Sequence, residues 1–120
     1  MPDKQSSEAE ALAAAGEWLA LIDGGDVSES YERAAGLFKA AVSLGQWQSS
    51  LAAAQAPLGR PVSRSLRSAR YAEELPGAPD GKYYVIEYDT EFERKQRGTE
   101  TLVPMLDEDG VWRVSGYFVR

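Results

Sequence analysis

Residues 83–92 read YYVIEYDTEF, and this stretch decides the fold class of the chain. Apolar and aromatic side chains occupy alternate positions, and the positions between them become acidic toward the end of the run. One set is Tyr84, Ile86, Tyr88, Thr90 and Phe92, and the other is Tyr83, Val85, Glu87, Asp89 and Glu91. Because successive side chains of a strand point to opposite faces, the pattern predicts a half-buried β-strand.

Three more strands are predicted around this one. The four predicted strands are residues 62–74, 83–92, 100–107 and 111–120. In residues 62–74 the Arg residues recur at a spacing that suits a helix, while the other side chains alternate as in a strand. We interpret this segment as a bulged strand. Lys95–Gly98 is predicted as the turn before the third strand, and Asp107–Gly110 as the hairpin after it. Pro104 cannot donate a hydrogen bond to a neighbouring strand, so it predicts a bulge or a bend.

Ala-rich residues 1–56 predict helices instead. Leu12, Ala15, Leu19 and Ile22 recur at spacings of three and four, which is typical of a helix with one apolar face. Gly24-Gly25 predicts its end. A second helix is predicted through Ser30 to Ala41, and a third after an N-terminal cap at Ser43 that carries Trp47 and Leu51.

The predicted fold class is therefore α+β, with three N-terminal helices packed on one face of a four-stranded antiparallel sheet. A length of 120 residues fits one domain spanning residues 1–120. Within it we expect residues 1–6 to be flexible, residues 7–56 to form the helical half and residues 60–120 to form the sheet half.

Composition excludes several function classes. The chain has no Cys and no His, so thiolate nucleophiles, Cys and His metal ligands and the commonest general base are missing. We expect no cofactor, no metal and no catalytic residue. Thirteen basic and 19 acidic residues give a net charge of −6, which argues against a nucleic-acid partner. No apolar run approaches the roughly 20 residues that a membrane-spanning helix needs.

Two interpretations are open for each group of charged residues in the predicted sheet. Arg64, Arg67 and Arg70 suit an anionic ligand, but pairing with the acids of the neighbouring strand is the more ordinary role. Regular alternation would place Arg64 and Arg70 on one face and Arg67 on the other. Glu100 shares its predicted face with Leu102 and Leu106, so it either turns inward toward a partner such as Arg113 or lies exposed at the start of its strand; we expect the exposed position.

Several short runs resemble one family when they are taken together. The runs are Trp18–Gly25, Trp47 with Ala56–Gly59, Leu75–Tyr83 and Gly110–Tyr117. In combination they resemble the bacterial domain-of-unknown-function family DUF4019. The resemblance implies a small exported or envelope-associated protein with a cystatin-like cone fold, similar to the nuclear-transport-factor-two superfamily. In such a cone the three N-terminal helices would pack on a curved four-stranded antiparallel sheet. It supplies no catalytic residues to carry over.

A cone fold implies a pocket between helices and sheet, and pockets usually have aromatic walls with a few polar groups. The candidate pocket-lining residues are Trp18, Trp47, Arg64, Tyr88, Trp112 and Tyr117. The competing interpretation is that the aromatic members simply form the core, which is the commoner role of such side chains in a domain of this size.

We therefore expect a non-catalytic accessory or binding module of the cell envelope, with an unknown small ligand or a protein as its partner. One alternative is a small-molecule enzyme of the cone-fold type, which rests on fold analogy alone. Another is an immunity or inhibitor protein that binds a partner protein. A second copy of the chain, bound through the sheet as a homodimer, is a further alternative partner. The family resemblance implies a periplasmic or exported location; because the sequence opens without a signal peptide, a cytoplasmic location is the alternative.

Overall fold

The computed structural model describes residues 4–120, with side chains from Ser7 onward. The helices are α1 (Lys4–Asp23), α2 (Val27–Glu32), α3 (Gly36–Ala41) and α4 (Leu44–Gln55). The strands are β1 (Pro61–Ala72), β2 (Tyr83–Phe92), β3 (Lys95–Leu106) and β4 (Trp112–Val119). The expected flexible segment, residues 1–6, lies outside the described residues except for the backbone of residues 4–6, which belongs to α1.

The strands form one antiparallel sheet in the order β1-β2-β3-β4. This confirms the α+β class and the four antiparallel strands. β2 spans the predicted residues, and β1 carries register shifts between Pro61 and Ser63 and between Leu66 and Ser68, as expected of a bulged strand. Another shift lies between Leu102 and Pro104, where the sequence predicted an irregularity.

The predicted turn at Lys95–Gly98 is wrong. Phe92 pairs with Lys95, so the chain reverses at Glu93 and Arg94, and residues 95–98 belong to β3. Gly98 serves the packing of the sheet instead. A Cβ atom at this position would lie 2.6 Å from the Phe92 ring, so the ring occupies the space that a side chain would take.

The structure has four helices where the sequence predicted three. The predicted second helix is divided into α2 and α3 because the backbone N–H of Ala35 donates to the carbonyl oxygen of Val114 in β4, at 2.8 Å. Ala35 has an extended conformation, with φ −62° and ψ 153°. This backbone hydrogen bond satisfies part of the edge of β4 and takes Ala35 out of the helical hydrogen-bond ladder.

The core lies between the helices and one face of the sheet, which we call the inner face. The sheet contributes Tyr84, Ile86, Leu102, Trp112 and Val114, and α1 contributes Ala11, Ala15, Trp18, Leu19 and Ile22. α4 follows a capping box at Ser43 and buries the predicted pair Trp47 and Leu51. Among the described residues, no helix combines the length and the apolar character needed to cross a membrane.

Candidate functional site

The most unusual feature of the inner face is a buried acid. Glu100 of β3 has a relative exposure of 0% and lies between Tyr88 of β2 and Val119 of β4. The expectation that Glu100 is exposed is therefore wrong. β3 begins at Lys95, five residues earlier, so Glu100 occupies the middle of a strand whose inner face it shares with the buried Leu102.

Three side chains donate hydrogen bonds to the Glu100 carboxylate. Its Oε1 atom accepts from Nε of Arg64 at 2.7 Å and from Oγ1 of Thr90 at 2.6 Å. Its Oε2 atom accepts from the hydroxyl of Tyr117 at 2.5 Å. Both oxygens are thus occupied, which offsets the cost of removing the acid from water. We call Glu100 and its three donors the Glu100 network.

Arg64 extends this network to the helices. Its Nη1 and Nη2 atoms donate to the carboxylate of Asp23 at 2.9 and 3.3 Å, so the last residue of α1 is tied to β1 and β3. Burial by itself would lower the pKa of Arg64. The hydrogen bonds to Asp23 and Glu100 outweigh that effect and raise the pKa above its usual range, so Arg64 remains a cation.

Arg113, the expected partner of an inward-facing Glu100, lies elsewhere. Its guanidinium group donates to Asp107 at 3.0 Å and to both carboxylate oxygens of Asp109 at 2.8 Å, which fastens the β3–β4 hairpin. This bidentate contact lowers the pKa of Asp109 to about 2. The partner of Glu100 is instead Arg64, which is 36 residues away in the sequence.

Tyr117 and Tyr88 complete the surroundings of Glu100. Burial, followed by the negative charge of Glu100, raises the pKa of the Tyr117 hydroxyl far above its usual range. Burial also raises the pKa of Tyr88, against the opposing effect of the Arg64 charge. Both hydroxyls therefore stay protonated at neutral pH, and Tyr117 acts as a hydrogen-bond donor and not as a base.

Three of the predicted pocket-lining aromatics, Trp18, Trp47 and Tyr117, form a ring cluster. Trp18 and Trp47 have ring centroids 5.4 Å apart, and Tyr117 lies 5.6 Å from Trp18. The indole N–H of Trp18 donates to the Ser30 carbonyl oxygen at 2.9 Å, and that of Trp47 donates to the Ser30 hydroxyl at 3.0 Å. These side chains fill the core, with their polar atoms satisfied inside it.

Trp112 is placed differently. It packs against Tyr84 with ring centroids 5.4 Å apart, and together with Trp18 it lines a groove of about 350 Å³ between α1 and β4. The six predicted residues therefore divide among three places. Arg64 and Tyr117 bind Glu100 with Tyr88 beside them, Trp18 and Trp47 pack against Tyr117, and Trp112 stands at the edge of the core.

The three Arg residues of β1 do not follow the predicted alternation. Arg64 pairs with Thr90 and Arg70 with Val85, five residues apart on β2, so the two lie on opposite faces. The extra residue between Leu66 and Ser68 is Arg67, and this bulge shifts the alternation. Arg67 forms the expected ion pair with the neighbouring strand, with Asp89 at 3.1 Å.

Sequence reasoning missed two members of the site, Thr90 and Asp23. A signal existed for Thr90, since a hydroxyl between Tyr88 and Phe92 on the core face requires a buried partner. No comparable signal existed for Asp23, because its contact with Arg64 spans 41 residues.

The polar groups of the site bind one another. Every buried side-chain nitrogen or oxygen within the described residues has a hydrogen-bond partner. Among the same residues, no group of three or more acids is arranged to hold a metal ion. The Glu100 network thus joins all four strands and, through Arg64 and Asp23, the end of α1, and its polar atoms are directed at one another.

Comparison with protein families gives one match. Residues 14–117 match a family described as protein of unknown function (DUF4019), and these residues include every strand except the last few positions of β4. Comparisons with curated proteins and with solved structures gave no match. Because the matched region covers most of its length, the chain belongs to the DUF4019 family.

Proposed function

We propose that this protein is a non-catalytic binding module of the bacterial cell envelope that engages a partner protein through the outer face of its sheet. The observation that carries the proposal is a difference between the two faces of the sheet: the inner-face groups are buried and paired with one another, whereas the outer-face groups are accessible. On the inner face, Glu100, Arg64 and Tyr117 satisfy one another, and Trp18 and Trp47 are packed in the core. These groups stabilise the fold, which leaves recognition to surfaces outside it.

Outer-face residues of the sheet remain largely accessible. Ser63, Ser65, Asp89 and Glu91 are exposed, whereas the buried Tyr83 lies under the loop at Pro79, to whose carbonyl oxygen its hydroxyl donates at 2.6 Å. A shallow depression of about 410 Å³ crosses β1, β2 and β3 on this face. Such a surface offers hydroxyl and charged groups at its edges to a partner.

Phe118 gives the outer face an apolar anchor. Its side chain is 64% exposed, and its ring lies against Gly116, where a Cβ atom would come within 3.3 Å of the ring and 3.8 Å of Val103. Because Gly116 has no side chain, the ring can pack closely against the backbone there. An exposed aromatic side chain held in place by the backbone is typical of an interface hot spot, since little conformational entropy is lost when it is covered.

Charges on the outer face of the sheet have both signs. Arg67 pairs with Asp89, and Arg120 approaches Glu87 to 3.9 Å. The sheet half, residues 57–120, carries ten basic and eleven acidic residues, whereas residues 1–56 carry three and eight. A mixed surface of this kind suits a specific protein partner better than a polyanion or a polycation.

Site-specific photo-crosslinking in the bacterial cell tests this proposal. A photoreactive phenylalanine analogue replaces Phe118, and a matched control carries it at Ala53, an exposed position on α4. We expect an adduct with one protein of defined mass from position 118 and none from position 53, in an envelope fraction.

Other outcomes would contradict the proposal. Equal labelling from both positions would indicate nonspecific contact. An adduct of two 13.1 kDa chains would assign the outer face to a homodimer. Recovery of the protein in the cytoplasm would exclude the envelope location.

A further inference from the structure

We propose that a groove beside the β3–β4 hairpin binds a short basic segment of a partner protein, with an apolar side chain of that segment seated on the groove floor. The groove lies between α3, the loop at Pro79–Gly81 and the hairpin, and has a volume of about 750 Å³. This inference goes beyond the proposed function, because the site lies at the opposite end of β3 from the depression on the outer face. Met105 and Gly98, which line the two sites, are seven residues apart, or about 23 Å along a strand.

The floor of the groove is apolar. It is formed by Leu37 and Ala40 of α3, by Pro79 and by Met105 and Leu106 at the end of β3. Leu37, Met105 and Leu106 are only half-buried, so part of each side chain faces the groove. A volume of this size accommodates a few side chains, and covering the floor with an apolar group removes this surface from water.

Acidic residues dominate the remaining lining. Four carboxylates, from Asp80, Asp107, Glu108 and Asp109, face a single cation, Arg113. The Arg113 guanidinium is already bound to Asp107 and Asp109. Within the described part of the chain, Asp80 and Glu108 have no ion-pair partner closer than 4 Å, so their charges are available to a ligand.

Charge complementarity therefore selects the occupant. An acidic partner would meet a net negative lining, and a purely apolar partner would leave Asp80 and Glu108 to lose water without compensation. A segment in which Lys or Arg flanks Leu-like residues satisfies both the floor and the rim. Because the rim is exposed, these ion pairs will be weakened by added salt.

The test uses the full chain and a labelled peptide probe, GKLLKG, with fluorescence anisotropy as the readout. Asp80→Asn combined with Glu108→Gln removes both available carboxylates. The matched control, Glu10→Gln with Glu74→Gln, removes the same charge from exposed positions outside the groove and outside the outer-face depression. We expect the groove variant to bind roughly tenfold more weakly and the control variant to lose less than twofold, with both melting like the parent.

Two further peptides separate the contributions. GKSSKG lacks the apolar pair and GELLEG reverses the charge, and both are expected to bind at least about tenfold more weakly than GKLLKG. Equal loss in the two double variants, equal binding of GKSSKG, or no binding of GKLLKG would each overturn the proposal. Self-association of the parent chain that disappears in the groove variant would also overturn it, because a second copy, with its basic residues Arg94, Lys95 and Arg97, would then be the occupant. None of these outcomes bears on crosslinking at Phe118.

Discussion

Arg64 and Arg67 lie three residues apart on β1, and each is paired with an acid, yet the two pairs belong to different environments. The side chains of Arg64 and Glu100 are 19% and 1% exposed, whereas the side chains of Arg67 and Asp89 are both 52% exposed. Removing one member of a buried pair leaves an uncompensated charge, while an exposed pair is screened by water and salt. The Arg64–Glu100 pair therefore contributes to the stability of the fold, whereas the Arg67–Asp89 pair lies on the accessible outer face of the sheet.

The largest expected difference between the two pairs concerns the stability lost when each Arg is replaced. Arg64→Met is expected to lower the free energy of unfolding by about 3 kcal/mol, the lower end of the range for an unpaired buried charge, because Thr90 and Tyr117 still donate to Glu100. Arg67→Met is expected to cost about 0.5 kcal/mol or less. Urea unfolding followed by tryptophan fluorescence measures both, and equal losses would refute the distinction.

Backbone packing on the inner side gives the next effect. Gly98→Ala places a Cβ atom 2.6 Å from the buried Phe92 ring and is expected to destabilise the fold by about 1–3 kcal/mol. Gly45→Ala in α4 is the control, since no atom lies within 4 Å of its Cβ position, and it is expected to be neutral or slightly stabilising. Thermal denaturation compares the two, and a neutral Gly98→Ala would show that Phe92 can move aside.

Hydroxyl deletions make a finer comparison between buried and exposed acceptors. Tyr117→Phe removes a donor to the buried Glu100 and is expected to cost about 1.5 kcal/mol, the lower end for a hydrogen bond to a charged group. Tyr71→Phe removes an exposed hydrogen bond to Glu73 at 3.0 Å, and we expect a loss below about 0.5 kcal/mol. Unfolding in urea distinguishes them, and a larger loss for Tyr71→Phe would contradict the assignment.

The smallest effect concerns pH at the exposed hairpin. The bidentate contact with Arg113 lowers the pKa of Asp109 to about 2, so this contact stabilises the fold above the ordinary Asp pKa of about 3.9 and is lost as pH falls through 2. Arg113→Gln is expected to return the Asp109 pKa to about 4. An NMR titration of the carboxyl carbon measures it, and an unchanged value in the variant would exclude Arg113 as the cause.

Local sequence patterns predicted the strands well because each strand carries its own signal. Alternation placed β2 at residues 83–92, and Pro104 marked the irregularity opposite β4. Failures occurred where a distant backbone group decided the outcome. The break between α2 and α3 depends on the Val114 carbonyl oxygen, and the reversal at Glu93–Arg94 is held by hydrogen bonds to Arg60 and Leu58.

The candidate site was harder to predict for the same reason. Arg64 and Tyr117 were identified individually, but Glu100, to which both donate, was expected to be exposed because it was placed at the start of its strand. Its partners lie 36 and 17 residues away in the sequence, so no local pattern indicated them. A single bulge at Arg67 was enough to place Arg64 and Arg70 on opposite faces of the sheet, where regular alternation predicts one face for both. Burial of an acid is set by register, and register depends on pairing between strands.

Two double-mutant cycles measure whether the Arg64–Glu100 pair contributes more to stability than the Arg67–Asp89 pair. The first combines Arg64→Met with Glu100→Gln, and the second combines Arg67→Met with Asp89→Asn, with the free energy of unfolding measured for every variant. We predict a coupling of about 2 kcal/mol for the inner pair and about 0.3 kcal/mol for the outer pair. Equal couplings, or a larger coupling for the outer pair, would contradict the assignment of the inner pair, and not the outer pair, to the stability of the fold.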